Sequence, residues 1–283
     1  MKIKYSITPR FLLLFLALWQ SSGSYVIAQA DSLWQEAYTV MKVERFAVDP
    51  LQQLLAVDEN GVLVQYNSQG QALFRYHNTT LGEDFTIDAT DPFNILLFYE
   101  DQQTVILLDR TLSVRASLDL RDTEILYATA VARSHDNNLW VYDELAGRLY
   151  KLSARGDLLF TSNDFRLSEN LSVGPSQIVR WEDRIVLNFP DRGLALFSVL
   201  GQLQEWWPIQ QIEDLFFQAN TLYYRQDEGY FRKQVLQNLV EAVVWPEGKK
   251  PKAFLQQLTH RYLLQADGLL RVETQKTTDI DRN

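Results

Sequence analysis

The chain has 283 residues, of which 46% are apolar, 12% aromatic and 22% charged, with 12 Gly, 8 Pro and no Cys. This composition excludes a disordered, collagenous or disulfide-stapled protein and leaves packing to hold the fold. The 27 basic and 36 acidic residues give a net charge of −9, which argues against binding nucleic acid or anionic lipid, since both rely on Lys and Arg.

In chain order, the first thirty residues stand apart. Lys2, Lys4 and Arg10 make a basic start, Phe11 to Trp19 is an unbroken run of nine apolar residues, and Ala28-Gln29-Ala30 precedes Asp31. A basic segment, a short apolar run and an A-x-A site are the three parts of a secretory signal peptide. Nine residues form a helix of about 13 Å, less than half a bilayer core. Residues 1–30 are therefore expected to be a signal peptide cut after Ala30. Three bases and no acid would leave with it, taking the charge from −9 to −12. No later run is long enough to span a membrane, and without Cys the exported chain gains no disulfides.

Beyond residue 31 the chain repeats. The first unit is Phe46-Ala-Val-Asp49, Leu54 to Asp58, a turn ending at Gly61, Val62 to Tyr66, a turn Asn67 to Gly70, and Gln71 to Tyr76. Alternating short apolar runs separated by Asn-Gly and Gln-Gly turns predict four strands. The unit returns around Leu96–Leu118, Leu139–Phe160, Ile185–Trp207, Leu222–Lys233 and Tyr262–Glu273. Its hairpin-turn aspartates stand at 58, 101, 143, 191, 227 and 267, with spacings of 43, 42, 48, 36 and 40. Six four-stranded units of about 42 residues use the length after residue 30 and predict an all-β, six-bladed β-propeller of antiparallel blades. The sixth unit has room for only three strands. Residues 33–43 are expected to add the fourth, so that the N-terminal strand joins the last blade and closes the ring. The propeller domain then covers 31–275, and the polar residues 276–283 are expected to be a disordered tail. Residues 231–243 have helix-like apolar spacing, but the blade period predicts strand, turn at Gln237-Asn238, and strand.

The first and third units resemble NHL-type propeller repeats: Val48-Asp49, Val57-Asp58, Gly61 and Gly70 fill the pattern in one, and Tyr142-Asp143, Gly147 and Gly156 in the other. The other units keep only the turn Asp and its flanking strands. Over roughly 33–275 the chain is similar to exported six-bladed propellers common in Bacteroidota. The resemblance implies a fold and only weakly a function.

Chemical motifs are sparse. His77, His135 and His260 are the only histidines and fall in three different units, which argues against a zinc site. Ser134-His135-Asp136 are adjacent and read as a turn, not a nucleophilic triad. No G-x-S-x-G, Asp-box or quinone-propeller signature occurs, so no catalytic residue is assigned. The six turn aspartates read as local turn caps. Glu83, Asp84 and Asp88, before and within the second unit's inner strand, are the candidate ligand-binding carboxylates for the channel mouth. Calcium or another divalent cation is the cofactor such a group would take. Trp206, Trp207 and Trp245 close outer strands. Most such residues should pack between blades, and an exposed subset would form a partner-binding patch.

Together these features predict an exported, non-catalytic propeller acting as a protein-interaction scaffold in the bacterial cell envelope, with an envelope protein as partner. The alternative is a divalent-ion-dependent hydrolase, lactonase or lyase, or a carbohydrate-binding propeller, with its site at the channel mouth. With no C-terminal secretion domain visible, the periplasm is favoured over the cell surface.

Overall fold

The computed structural model of the protein describes residues 34–276, apart from 170, 172, 228 and 246–249. The expected signal peptide and the residues from 277 onward lie outside the described residues. Within them the chain forms six four-stranded antiparallel sheets, five of them with their strands in chain order, as expected of propeller blades. Blade 1 contains Val43–Val48, Leu54–Asp58, Leu63–Tyr66 and Ala72–Tyr76. Blade 2 contains Thr86–Asp88, Ile95–Tyr99, Thr104–Leu108 and Val114–Asp119. Blade 3 contains Ala128–Arg133, Leu139–Asp143, Arg148–Leu152 and Leu158–Thr161. Blade 4 contains Gln177–Trp181, Arg184–Phe189, Gly193–Ser198 and Leu203–Trp207.

Blade 5 contains Ile212–Gln218, Thr221–Gln226, Gly229–Gln234 and Leu239–Val243. The last two fall in the segment with helix-like spacing, and Asn238 takes the left-handed conformation (φ 51°) that their turn requires. Blade 6 contains Ala253–Gln256, His260–Leu264 and Leu270–Gln275, with Trp34–Val40 as the outer strand. The predicted closing strand is therefore present. It ends at Val40, because Lys42 turns the chain (φ 60°) and Val43 already belongs to blade 1.

The middle strands explain the unbroken apolar runs in the sequence. Ile95–Tyr99 and Thr104–Leu108 are buried along their whole length, whereas the outer strand Val114–Asp119 has no fully buried residue. A sheet covered on both faces needs apolar residues at every position, not alternate ones. The buried side chains form six clusters, one between each pair of neighbouring blades, including blade 6 against blade 1 through Val40, Tyr262, Leu264, Leu54 and Ala56. Six interfaces for six blades make the ring closed.

Candidate functional site

The three carboxylates singled out in the sequence are not gathered at one point. Asp88 ends the inner strand of blade 2 and lines a cavity of about 340 Å3 formed by inner-strand residues, among them Phe46, Gln177, Arg180, Phe216 and Phe254. One Asp88 oxygen accepts from the Thr90 amide (2.9 Å) and hydroxyl (2.6 Å), and the other from the Arg133 amide (2.7 Å). The group thus ties the end of one inner strand to the next. Glu83 and Asp84 lie in the connection before that strand, exposed and outside the cavity lining. The Arg45 guanidinium donates to the Glu83 carbonyl, lies 3.8 Å from the Asp84 carboxylate and covers the Phe85 ring. The cavity's other carboxylate, Asp214, pairs with Arg225 at 2.9 Å. Among the described residues, no group of three or more His, Cys, Asp or Glu stands ready to hold a metal ion.

Ser134-His135-Asp136 form the turn between the first two strands of blade 3. Asp136 pairs with Lys151 at 2.7 Å and accepts from Ser134, whose hydroxyl lies 3.5 Å from His135 Nδ1, so the imidazole does not stand between hydroxyl and carboxylate as a relay requires.

The tryptophans are engaged in packing. Trp206 and Trp207 point to opposite sides of blade 4, as neighbours on a strand must. Trp206 meets Phe189 on the blade 3 side, donates to Glu169 (3.1 Å) and lies under the Arg192 guanidinium. Trp207, only 8% exposed, meets Trp181 and Phe217 on the blade 5 side. Trp245 is half-buried against Tyr230 and Phe254. The three do not form one exposed patch.

An exposed apolar surface does occur elsewhere, on the face carrying the inter-blade connections and the turns between second and third strands. It centres on blade 3. Asp143, 0% exposed, closes the second strand of that blade, and its carboxylate accepts from the amides of Leu126 (2.6 Å), Tyr127 (3.3 Å) and Ala146 (3.0 Å). The Glu144 amide adds a bond to the Tyr127 carbonyl at 2.9 Å. Buried charge-assisted bonds of this kind fix backbone firmly. They press the connection 123–127 onto the turn 144–147 and leave the side chains of Leu126 (65% exposed) and Leu145 (59%) facing outward. Beside them Tyr142, Glu144, Leu145, Arg166, Val173 and Gly174 line a pocket of about 200 Å3. The short helix Phe165–Glu169 completes the edge, held by the Phe165 amide on the Gly147 carbonyl (2.8 Å) and exposing Leu167.

Carboxylates rim this surface. The Tyr127 hydroxyl donates to Glu100 at 3.3 Å. Burial raises the Glu100 carboxyl above its ordinary value, the Tyr127 bond opposes that, and the negative charges of Asp101, Glu144 and Asp84 add to the rise. The Tyr127 phenol is raised by the same field, with Glu100 first. The sequence held one signal of this surface: Leu145, an apolar residue at the tip of an Asp-to-Gly turn, where turn chemistry calls for polar residues.

No protein-family model matches the chain, and no curated protein sequence matches it. Solved structures match in fold. The WD40 domain of Pan2 from Neurospora crassa aligns with a TM-score of 0.62 at 9% identity, covering 87% of this chain and 96% of that one. BamB from Moraxella catarrhalis gives 0.51 at 12% identity, covering 88% and 100%. A virginiamycin B lyase from Staphylococcus aureus gives 0.52 at 12%, covering 83% and 81%. Identities this low establish a shared propeller fold and carry no activity with them.

Proposed function

We propose that this propeller is a non-catalytic protein-interaction scaffold, exported to the bacterial cell envelope and resident in the periplasm. The observation that carries the reading is the apolar surface of blade 3: Leu126 and Leu145 are exposed on two segments that the buried Asp143 carboxylate ties together, and the exposed Val173 shares a pocket with Leu145. Clustered apolar surface on a fixed frame is a feature of binding faces, because little ordering entropy opposes association. The basic start, the nine-residue apolar run and Ala28-Gln29-Ala30 support export. The NHL-like pattern of the first and third units supports kinship with exported propellers of that type. The alternative, an enzyme or sugar binder at the channel mouth, draws less support, since Asp88 is consumed in strand-to-strand bonds and Glu83 and Asp84 lie outside the cavity.

The test is co-purification of the tagged protein from cross-linked envelopes, read by mass spectrometry, alongside a Leu126→Ser/Leu145→Ser variant. The reading expects one stoichiometric envelope protein with the native chain and its loss with the double variant. A Leu236→Ser control, on the outer edge of blade 5, should retain it. Equal capture by the double variant, or no partner at all, would overturn the reading.

A further inference from the structure

The sign of the charge around the blade 3 surface restricts what can occupy it. Asp101, Glu144 and Asp84 lie close enough to Glu100 for their charge to act on it, and the carboxylates of Asp101 and Glu144 have no partner among the described residues. Two of the cations in the same region are committed elsewhere, Arg121 to Asp119 at 2.6 Å and Arg166 to Asp164 at 3.2 Å, while Arg148 stands opposite Asp143 in the strand register. Arg45 answers Asp84 alone, at 3.8 Å. The face therefore combines an apolar centre with an excess of carboxylates over cations. Nucleic acid and anionic lipid would meet it phosphate against carboxylate. A second copy, meeting the same patch across a twofold axis, would set carboxylates against carboxylates.

We propose that the occupant is a cationic amphipathic segment of the partner protein, whose apolar side chains cover Leu126, Leu145 and Val173 and whose Lys or Arg side chains meet Glu100 and Glu144. This rests on the scaffold reading and names the chemistry of its partner. The 200 Å3 pocket beside Leu145 takes one apolar side chain of that segment. The carboxylates contribute register and rate of encounter more than raw affinity, as charge at the edge of an interface does.

The experiment titrates the full chain against two labelled synthetic helices, one of Leu and Lys and one with Glu in place of every Lys, by fluorescence anisotropy. The Lys helix should bind and the Glu helix should not. Leu126→Ser/Leu145→Ser should weaken binding of the Lys helix at least about tenfold, from lost apolar burial. Glu100→Gln/Glu144→Gln should weaken it about fivefold and flatten its salt dependence. Leu236→Ser should leave it unchanged, and circular dichroism verifies the fold of each variant. Equal binding of both helices, or binding of the Lys helix that neither double variant alters, would overturn the inference. The envelope capture separates the two ideas. If Glu100→Gln/Glu144→Gln still captures the partner as the native chain does while Leu126→Ser/Leu145→Ser does not, the scaffold stands and its partner is not cationic. If neither variant changes capture, the scaffold reading falls as well.

Discussion

Buried polar side chains stitch the blades together one residue at a time, and Asp143 is one of the most heavily used of them. Its carboxylate satisfies three backbone amides from two segments. Gln103 plays a similar part in blade 2, donating to the Ala128 carbonyl (2.9 Å) and accepting from its amide (2.7 Å). Asn188 does so in blade 4, donating to the Ile212 carbonyl at 2.9 Å. Removing such a group leaves buried amides unanswered. Asp143→Ala should cost about 3 kcal/mol, measured by urea unfolding, and should speed hydrogen exchange at the Leu126 and Tyr127 amides. An unchanged midpoint would mean the clamp is dispensable. Turn residues show how far the sequence could be read. Asp58 and Asp267 cap their own turns as expected, but the reach of Asp143 to Leu126 spans 17 positions and no local pattern announces it. A second periodic mark went unread. Asn67, Asp109, Ser153 and Ser198 open the outer turns of the first four blades, each capping the amides two and four residues on. They are 42, 44 and 45 residues apart (109−67, 153−109, 198−153). Three residue types performing one hydrogen-bonding task hid the period.

At the scale of elements, the blade is the unit that the sequence specified and the interface is the unit that holds it. Middle strands were legible because both faces are covered and their apolar runs are continuous. The short inner strand Thr86–Asp88 was far less so, having three residues of which none is fully buried. Interfaces differ in make-up. Between blades 5 and 6 the buried residues are Tyr223, Tyr230, Phe254 and Leu263, and Phe254 meets the rings of Phe216, Tyr223, Tyr230 and Trp245 at 5.0–5.9 Å. Phe254→Ala removes the centre of that cluster and should cost about 4 kcal/mol. A loss under about 1 kcal/mol in chemical denaturation would show that neighbouring rings refill the space. Blade 6 offers a second test. Its outer strand supplies Val40 to the core against blade 1, and Glu36 lies 3.1 Å from Arg271. A chain beginning at Met41 should melt at a lower temperature in scanning calorimetry and be cut by protease first within His260–Gln275. Native-like melting would show that three strands suffice to close the ring.

For the molecule as a whole, the many buried phenols make alkaline pH the sensitive direction. Burial pushes the Tyr38 phenol up to about 12, with the neighbouring Tyr66 adding to it, and burial likewise raises Tyr99, Tyr142, Tyr230 and Tyr262. In the unfolded chain these phenols ionise near the ordinary value of about 10. A group whose folded pKa is raised favours the protonated, folded state. Its contribution is complete below pH of about 10 and is lost as pH rises through the folded value. Phenolate absorbance and the loss of near-ultraviolet circular dichroism should therefore appear together above pH 10, in one transition. Stepwise phenol ionisation with the fold intact would refute this. The whole-molecule architecture was the most legible level, because six repeats of one unit leave few ways to bury their faces. The blade 3 surface was the least, because its apolar residues come from a connection, a turn and a helix edge that no period links.

The first strand's place in the last blade has a consequence for synthesis. Trp34–Val40 leaves the ribosome early, yet its partner Leu270–Gln275 is made some 230 residues later. Until then the first strand has no neighbour to bond, and blades 1 and 6 each have a bare apolar side. Such open edges are what chaperones hold and what aggregates join. Ring closure is thus the last step in assembling the propeller, set by chain order and not by local preference. A gene rearranged to place residues 34–42 after 276 would write every blade as a continuous unit, and its product would no longer depend on that long wait.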